Sequence, residues 1–200
     1  IREYGITRVL ETELAACQIF YAVYDGTLTN PTTQNVEDAR KLYCDTDCQA
    51  MIAVGGGSSI DCAKAVGARI ARPKKSLQSM KGILKVRKKI PLLIAIPTTA
   101  GTGSETTLAA VITDAKTRHK YPINDFALIP RYTVLDPEVT RTLPPDITAT
   151  TGLDALTHAV EAFIGHSTTR QTRKKAIQAV KLIFENIQEA YRNGNNMQAR

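Results

Sequence analysis

The stretch AMIAVGGGSSIDCAKA, residues 50–65, joins an apolar run to three glycines and a polar helix start. The continuous apolar run at residues 50–54 is typical of a strand that is covered on both faces of a parallel sheet. Glycines let the backbone approach a phosphate closely, and the first turn of the following helix offers N–H groups and the positive end of its dipole. The stretch therefore predicts a strand, a phosphate-binding turn and a helix that begins at Ser58 or Ser59 and ends at Ala71.

A second glycine-rich loop, TTAGTGSE at residues 98–105, follows another buried-strand pattern at residues 92–96. Ligands of open parallel sheets collect at the carboxyl ends of strands, so two such loops in successive units favour binding of a nucleotide phosphate. The first loop has neither the Gly-x-Gly-x-x-Gly pattern nor the P-loop lysine, so neither of those classes of site is predicted. A tight turn without a ligand is the alternative for residues 55–57.

Strands and helices alternate around these two loops. Strands are predicted at residues 19–24, 111–113 and 133–135, and a helix is predicted at residues 32–45, with Thr32 or Thr33 as its cap. The alternation predicts an α/β fold, in which a parallel sheet with crossover helices forms a Rossmann-like nucleotide domain.

Asp154 and His158 lie four residues apart in a segment with helical spacing. At about 3.6 residues per turn, their side chains share one helix face. A carboxylate oxygen and an imidazole nitrogen together can bind a divalent cation, and a purely structural pair is the alternative. His166 is a weaker candidate for a third ligand, since a polar surface role also explains it, and His119 is interpreted as part of a solvated turn.

The last quarter of the chain is predicted to be helical. Helices are expected around residues 154–163 and at residues 169–192, and the second carries an apolar stripe of Ile177, Val180, Phe184, Ile187 and Tyr191. We place a boundary near residues 143–146, where two prolines follow each other. It separates a dinucleotide-binding α/β domain, residues 1–144, from the first helices of an all-helical metal-binding domain, residues 145–200.

The composition argues against several classes of protein. With 200 residues, 43% hydrophobic and 22% charged, the chain has an ordinary globular balance. No apolar run approaches the roughly 20 residues that cross a bilayer, so we expect a soluble protein without a membrane partner. None of the four cysteines forms a Cys-x-x-Cys pair, and reduced cysteines in a cytoplasmic protein are the simplest interpretation.

Much of the net charge of +7 comes from seven lysines and arginines between residues 74 and 89. A basic segment of this kind can bind nucleic acid. Here no aromatic residue is interleaved for base stacking and no binding motif accompanies the charges. The sequence therefore predicts a solvated connection between two strands and no nucleic-acid partner.

Four motifs, in order, carry a resemblance to a known family: GGGSSIDCAKA (55–65), IAIPTTAGTGSETT (94–107), VLDPEVTRTLP (134–144) and TGLDALTHAVEAF (151–163). The chain resembles the iron-containing (group III) alcohol dehydrogenase family, whose fold is shared with dehydroquinate synthase. The resemblance implies a metal-dependent alcohol dehydrogenase or aldehyde reductase that transfers a hydride between a nicotinamide cofactor and a small alcohol or aldehyde. It also implies NAD or NADP as the cofactor, Fe2+ in preference to Zn2+ as the metal, and a homodimer or higher homo-oligomer.

By the same resemblance, the glycine turn holds the cofactor pyrophosphate, the second loop lines the cofactor cleft, and three later positions contact the nucleotide. These residues are, in that order, Gly56, Gly57 and Ser58; Thr98 and Thr99; and Thr107, Lys120 and Val139. Asp154 and His158 match the first two of four metal ligands, and the family takes the other two from histidines in later helices. No further catalytic side chain is implied.

The chain also departs from the family pattern at both ends. A first strand is expected before Ile1 and the remaining metal-binding helices after Arg200, so the chain is expected to be a fragment of a longer enzyme. Two other interpretations stay open: a catalytically incomplete dinucleotide-binding or assembly module, and a lyase or glycerol-type dehydrogenase of the same superfamily.

Overall fold

Strands and helices alternate along the chain in the computed structural model, which describes residues 1–200. The elements are α1 (Arg8–Ala16), α2 (Thr33–Asp45), β1 (Ala50–Gly55), α3 (Gly57–Ala71), β2 (Gly82–Ile83), β3 (Leu92–Pro97), β4 (Ala109–Thr113), β5 (Lys120–Asn124), β6 (Tyr132–Thr133), α4 (Pro145–Ile164) and α5 (Arg170–Arg192). They form two compact units. The first comprises Ile1–Pro97 and Ser104–Leu135, and the second comprises Thr98–Gly103 and Asp136–Arg200.

A parallel sheet of order β1-β3-β6 lies in the first unit. β1 pairs with β3 from Ala50↔Leu92 to Gly55↔Pro97, and α3 makes the crossover between these two strands. This arrangement confirms the predicted α/β fold with a parallel sheet. A second sheet, of order β2-β5-β4, contains the antiparallel pair β4–β5, so residues 111–113 do form a strand but not in the parallel sheet.

The core of the first unit gathers around α3. Ile60, Ala65 and Ala68 on this helix are completely buried. Gly67 packs so closely that a Cβ there would lie 3.0 Å from Cδ1 of Ile90. Small residues thus let α3 pack close to its neighbours. Burial of a large apolar side chain such as that of Ile60 contributes about 1.5–3 kcal/mol to the free energy of unfolding.

The helix predicted at residues 32–45 is confirmed, and Thr32 caps it. The Thr32 hydroxyl accepts a hydrogen bond from the Asn35 amide at 3.2 Å, while the Asn35 side chain accepts one from the Thr32 amide at 3.0 Å. This reciprocal pair is a capping box, in which an asparagine takes the place of the usual glutamate or glutamine.

The strand predicted at residues 19–24 is wrong, because this segment has no regular secondary structure. Its β-branched and aromatic residues satisfy the local preference for a strand, but no neighbouring strand pairs with its backbone. Ile19 and Phe20 are accordingly 53% and 72% exposed. Strand propensity describes the fit to a sheet surface, and without a pairing partner it does not produce a strand.

The strand predicted at residues 133–135 is shorter than expected, since β6 ends at Thr133. Three elements, α1, β2 and β5, were not predicted. β5 contains Pro122, which in a sequence argues against a strand interior. The structure accommodates this proline opposite Val111 in the β4–β5 pair.

The second unit is built on α4 and α5, which pack against each other along their length. A Cβ at Gly152 on α4 would lie 2.8 Å from Cδ1 of Ile187 on α5. The two helices therefore approach closely at this point because Gly152 has no side chain. No helix of the chain combines the length and the apolar character needed to cross a membrane.

The helix predicted at residues 169–192 is confirmed as α5, and the apolar residues of its predicted stripe differ in burial. Val180 and Ile187 are half-buried, but Ile177, Phe184 and Tyr191 are 57%, 68% and 45% exposed. The most buried residues of α5 are Ala176 and Ala190. Ile187 therefore belongs to the face of α5 that packs on α4, at Gly152, whereas Ile177, Phe184 and Tyr191 are turned outward. The functional division into residues 1–144 and 145–200 stays a prediction.

Candidate functional site

The turn between β1 and α3 requires glycine. Gly55 has φ +149°, and a Cβ there would lie 2.7 Å from Cβ of Ser59. Gly56 is the N-terminal cap of α3, and no side chain caps this helix. The first turn of a helix has N–H groups without intrahelical partners, so an uncapped start is suited to bind an anion. The structure thus presents Gly56, Gly57 and Ser58 on the kind of turn that the sequence predicted.

Lys120 is connected to this turn through Asn30. The Lys120 ammonium donates to Oδ1 of Asn30 at 2.8 Å, and the Asn30 amide donates to Oγ of Ser58 at 3.2 Å. Asn30 adopts φ +58°, a left-handed conformation that asparagine tolerates well. The structure therefore links two of the predicted cofactor residues, Ser58 and Lys120, in one hydrogen-bond chain and adds a positive charge to the helix start.

Lys64 and Asp61, on α3, were not singled out from the sequence. Lys64 is completely buried and donates to three backbone carbonyls, those of Ser104 (2.5 Å), Thr107 (2.8 Å) and Ala109 (2.9 Å), and to the Thr107 hydroxyl (3.1 Å). Burial lowers the pKa of Lys64 to about 8. The available signal was a lone lysine among alanines on the apolar face of an otherwise buried helix.

Asp61 also joins α3 to the segment that Lys64 contacts. Its carboxylate accepts from the Ser104 hydroxyl at 2.5 Å and from the Val111 amide at 3.0 Å. Burial raises the pKa of Asp61, and the two hydrogen bonds oppose that rise. Together Asp61 and Lys64 fix the segment between Ser104 and Val111 to the helix that begins at the glycine turn.

The second glycine-rich loop packs directly on α4 in the second unit. A Cβ at Gly101 would lie 2.5 Å from the carbonyl oxygen of Thr151 and 2.7 Å from its Cβ. Thr98 is buried and Thr99 is half-buried. The absence of a side chain at Gly101 therefore lets the loop lie against α4 at Thr151. Thr151 precedes Asp154 by one helical turn, so this is the part of α4 that carries the predicted metal ligands.

Asp154 and His158 face each other on α4. Nε2 of His158 lies 3.6 Å from Oδ2 of Asp154, and both side chains are accessible, at 56% and 44% exposure. Two ligand atoms about 2.1 Å from a tetrahedral ion lie about 3.4 Å apart, so this pair fits a shared divalent cation. On its other side, Nδ1 of His158 lies 4.0 Å from Oε2 of Glu161.

The remaining histidines do not complete a metal cluster. Nε2 of His119 lies 2.9 Å from the Lys81 ammonium in the first unit, and His166 is exposed after the end of α4. No group of three or more histidine, cysteine, aspartate or glutamate side chains is arranged to hold a metal ion. Asp154 and His158 therefore stay a predicted pair of ligands.

The predicted site residues are divided between the two units. Gly56, Gly57, Ser58, Thr107 and Lys120 belong to the first unit, and Thr98, Thr99, Val139, Asp154 and His158 to the second. Val139 is half-buried in a short 3-10 turn, Pro137–Thr140. The chain thus combines an α/β unit that has an uncapped glycine turn with a helical unit that has a carboxylate–imidazole pair, the two features that the sequence predicted for a metal-assisted nucleotide-binding protein.

Comparison with known proteins narrows this class. Residues 1–137 match the family described as iron-containing alcohol dehydrogenase, and residues 148–200 match the C-terminal part of the Fe-containing alcohol dehydrogenase family. The chain therefore belongs to the iron-containing alcohol dehydrogenase family. The resemblance that the four sequence motifs carried is confirmed.

Two relatives and one crystal structure illustrate the similarity. A 1,3-propanediol dehydrogenase of Citrobacter freundii is 38% identical over 200 residues, which are 100% of this chain and 51% of the relative. An NAD-dependent methanol dehydrogenase of Bacillus methanolicus is 36% identical over 196 residues, 98% of this chain and 51% of the relative. A crystal structure of 1,3-propanediol oxidoreductase superimposes with a TM-score of 0.95 at 36% identity, covering 100% of this chain and 52% of that one. The chain thus spans about half the length of these relatives.

Proposed function

We propose that the chain supplies the nicotinamide-nucleotide site and two metal ligands of an alcohol dehydrogenase that also reduces aldehydes. The observation that carries the proposal is the Asp154–His158 pair on an accessible face of α4. The two atoms that would bind the metal, Oδ2 of Asp154 and Nε2 of His158, lie 3.6 Å apart. Relatives that act on 1,3-propanediol and methanol by name support small alcohols and the corresponding aldehydes as substrates.

Each group of residues has a separate task in this proposal. The N–H groups of Gly56 and Gly57 bind the cofactor pyrophosphate, and Lys120 adds positive charge beside Ser58. Asp154 and His158 hold the metal ion through one oxygen and one nitrogen. When bound, the ion supplies Lewis-acid polarisation of the substrate oxygen and the nicotinamide accepts or donates the hydride.

The second loop and its neighbours complete the proposed cofactor site. Thr98 and Thr99 line the cofactor cleft, and Thr107 and Val139 contact the nucleotide. NAD is the favoured cofactor, because a relative of this chain is NAD-dependent by name, and NADP is the alternative. Iron is favoured over zinc because of the family to which the chain belongs.

Metal titration of the chain tests the role of the pair. We expect His158→Ala to weaken Zn2+ binding, measured by isothermal titration calorimetry, about tenfold or more, because one of two ligands is lost. NADH affinity should stay within about twofold, since His158 is not among the residues assigned to the nucleotide. His166→Ala is the matched control and should leave both affinities unchanged. Equal Zn2+ affinity of His158→Ala and the unaltered chain would refute the assignment.

A second candidate function is a dinucleotide-binding or assembly module without turnover. It is favoured by the two-ligand site, since a catalytic metal ion ordinarily has three protein ligands. NADH oxidation with propanal in the presence of Fe2+, followed by absorbance, separates the two functions. Turnover that depends on His158 supports the enzyme, whereas NADH binding without any turnover supports the module.

We also infer a cytoplasmic protein that forms a homodimer or higher homo-oligomer. All four cysteines are free, and two of them, Cys17 and Cys44, are exposed, which supports a reducing compartment. Light scattering on the purified protein measures the assembly directly, and a monomer at all concentrations would contradict it.

A further inference from the structure

Lys64 carries a buried cation with no carboxylate bonded to it. The three hydrogens of its ammonium are shared among four acceptors, three backbone carbonyls and the Thr107 hydroxyl, all between Ser104 and Ala109. An apolar side chain of similar length would fill the same space without the cost of removing a charge from water. The specific contribution of Lys64 is therefore its set of hydrogen bonds rather than the volume that it fills.

The Thr107 hydroxyl is oriented by these contacts. It accepts from Lys64 at 3.1 Å and can donate to the Ser104 carbonyl at 3.3 Å. A hydroxyl has one hydrogen and two lone pairs, so one acceptor position remains on Thr107. Thr107 is only half-buried, so part of this residue is accessible from solvent. A nucleotide sugar hydroxyl is a suitable donor to this position.

The geometry also connects Thr107 to the glycine turn. Lys64 lies on α3, fewer than two helical turns after Ser58, and Asp61 on the same helix holds the Ser104 hydroxyl. The helix that presents its N–H groups to the pyrophosphate thus fixes the position of Thr107 through the Lys64 side chain.

We propose that Lys64 is a positioning residue of the nucleotide site, which acts through Thr107 by holding its hydroxyl as an acceptor for the cofactor. The inference rests on the proposed function, because it requires that the chain bind a nicotinamide nucleotide. It adds a residue that touches neither cofactor nor metal and yet sets nucleotide affinity.

A double-mutant cycle on the chain tests this role, with NADH binding measured by fluorescence titration. We expect Lys64→Met and Thr107→Val each to weaken NADH binding about tenfold, which corresponds to about 1.4 kcal/mol. Because Lys64 acts through Thr107, the double variant should also lose about tenfold rather than about a hundredfold. Lys74→Met, on an exposed lysine beyond α3, is the matched control and should bind as the unaltered chain does.

The pH dependence of binding gives a second test that does not require Lys64→Met to fold. Asp61 and Glu105 are the acidic groups near Lys64 and favour its charged form, whereas burial opposes it and sets its pKa at about 8. Above that pH the neutral amine has one hydrogen fewer for its acceptors. NADH affinity of the unaltered chain should therefore fall above about pH 8, and this fall should be absent in Thr107→Val.

The outcomes separate the two proposals. If the unaltered chain does not bind NADH at any pH, the proposed function is overturned and the role of Lys64 with it. NADH binding with additive losses in the cycle, or with the same pH profile in Thr107→Val, overturns the positioning role alone. Non-additive losses and a flattened profile support both.

Discussion

Gly101 lies directly against Thr151, so that a Cβ at position 101 would be 2.5 Å from the Thr151 carbonyl oxygen. The close neighbour is helix backbone, which cannot rotate away as a side chain can. The contact joins the second glycine-rich loop to α4 one turn before Asp154. Glycine at position 101 thus serves packing within the second unit, in addition to any contact with a cofactor.

Gly101→Ala should destabilise the chain by about 1–3 kcal/mol, the usual cost of forcing extra atoms into a packed contact. We expect a lower midpoint in urea denaturation followed by circular dichroism. Ala100→Ser, at the exposed neighbouring position, is the control and should stay within about 0.5 kcal/mol of the unaltered chain. Wild-type stability of Gly101→Ala would mean that the loop does not rest on α4.

The close approach of Gly152 and Ile187 predicts a compensating pair of substitutions. Gly152→Ala alone should destabilise the chain, because the new Cβ would lie 2.8 Å from Cδ1 of Ile187. Ile187→Ala removes that atom and also Cγ1, which would lie 3.3 Å from the new Cβ. In the Ile187→Ala background, Gly152→Ala should instead stabilise the chain by about 0.5–1 kcal/mol, since alanine favours a helix over glycine. Urea denaturation of the four proteins of the cycle measures this change of sign, and an equal effect of Gly152→Ala in both backgrounds would contradict it.

The cysteines should differ strongly in reactivity. Burial raises the pKa of Cys62 to about 11, while Cys17 and Cys44 are exposed. Because the thiolate is the reactive form, Cys62 should remain unlabelled by iodoacetamide at pH 8 while Cys17 and Cys44 are alkylated. Mass spectrometry of tryptic peptides identifies the labelled positions. The same reaction in urea is the control, in which all four cysteines should react, and fast labelling of Cys62 in the native protein would disprove its burial.

Much of the fold follows from local sequence patterns. The apolar run before Gly55 and the helix after it are adjacent in sequence, so periodicity and glycine chemistry suffice to predict β1 and α3. Residues 19–24 also have a clear local pattern, that of β-branched and aromatic residues, but they do not form a strand. A strand needs a second strand to pair with, and no local pattern shows whether one is present. β5 is the opposite case, because Pro122 argues locally against a strand interior and its place opposite Val111 is decided by the β4–β5 pairing.

The site was predictable where its parts are close in sequence. Asp154 and His158 are four residues apart, so helical geometry alone puts them on one face. In the structure Nε2 of His158 lies 3.6 Å from Oδ2 of Asp154. The contacts of Lys64 join residues that are 40 to 45 positions apart. Such contacts arise only when α3 packs beside the segment from Ser104 to Ala109, and sequence periodicity carries no information about that pairing.

The buried charge of Lys64 should make its contribution to stability depend on pH. The folded-state pKa of about 8 lies below the ordinary value of 10.5, so between these two values the unfolded chain binds more protons than the folded one. The free energy of unfolding therefore rises with pH in this window. Relative to Lys64→Met, the unaltered chain should gain up to about 3 kcal/mol between pH 7 and pH 10.5, from the size of the pKa shift. Urea denaturation of both proteins across this range measures the difference, in which the other titrating groups cancel. Lys74→Met, which removes an exposed charge, is the control, and its stability should differ from that of the unaltered chain by the same amount at every pH. If the difference between Lys64→Met and the unaltered chain is also independent of pH, Lys64 keeps its ordinary pKa in the folded chain.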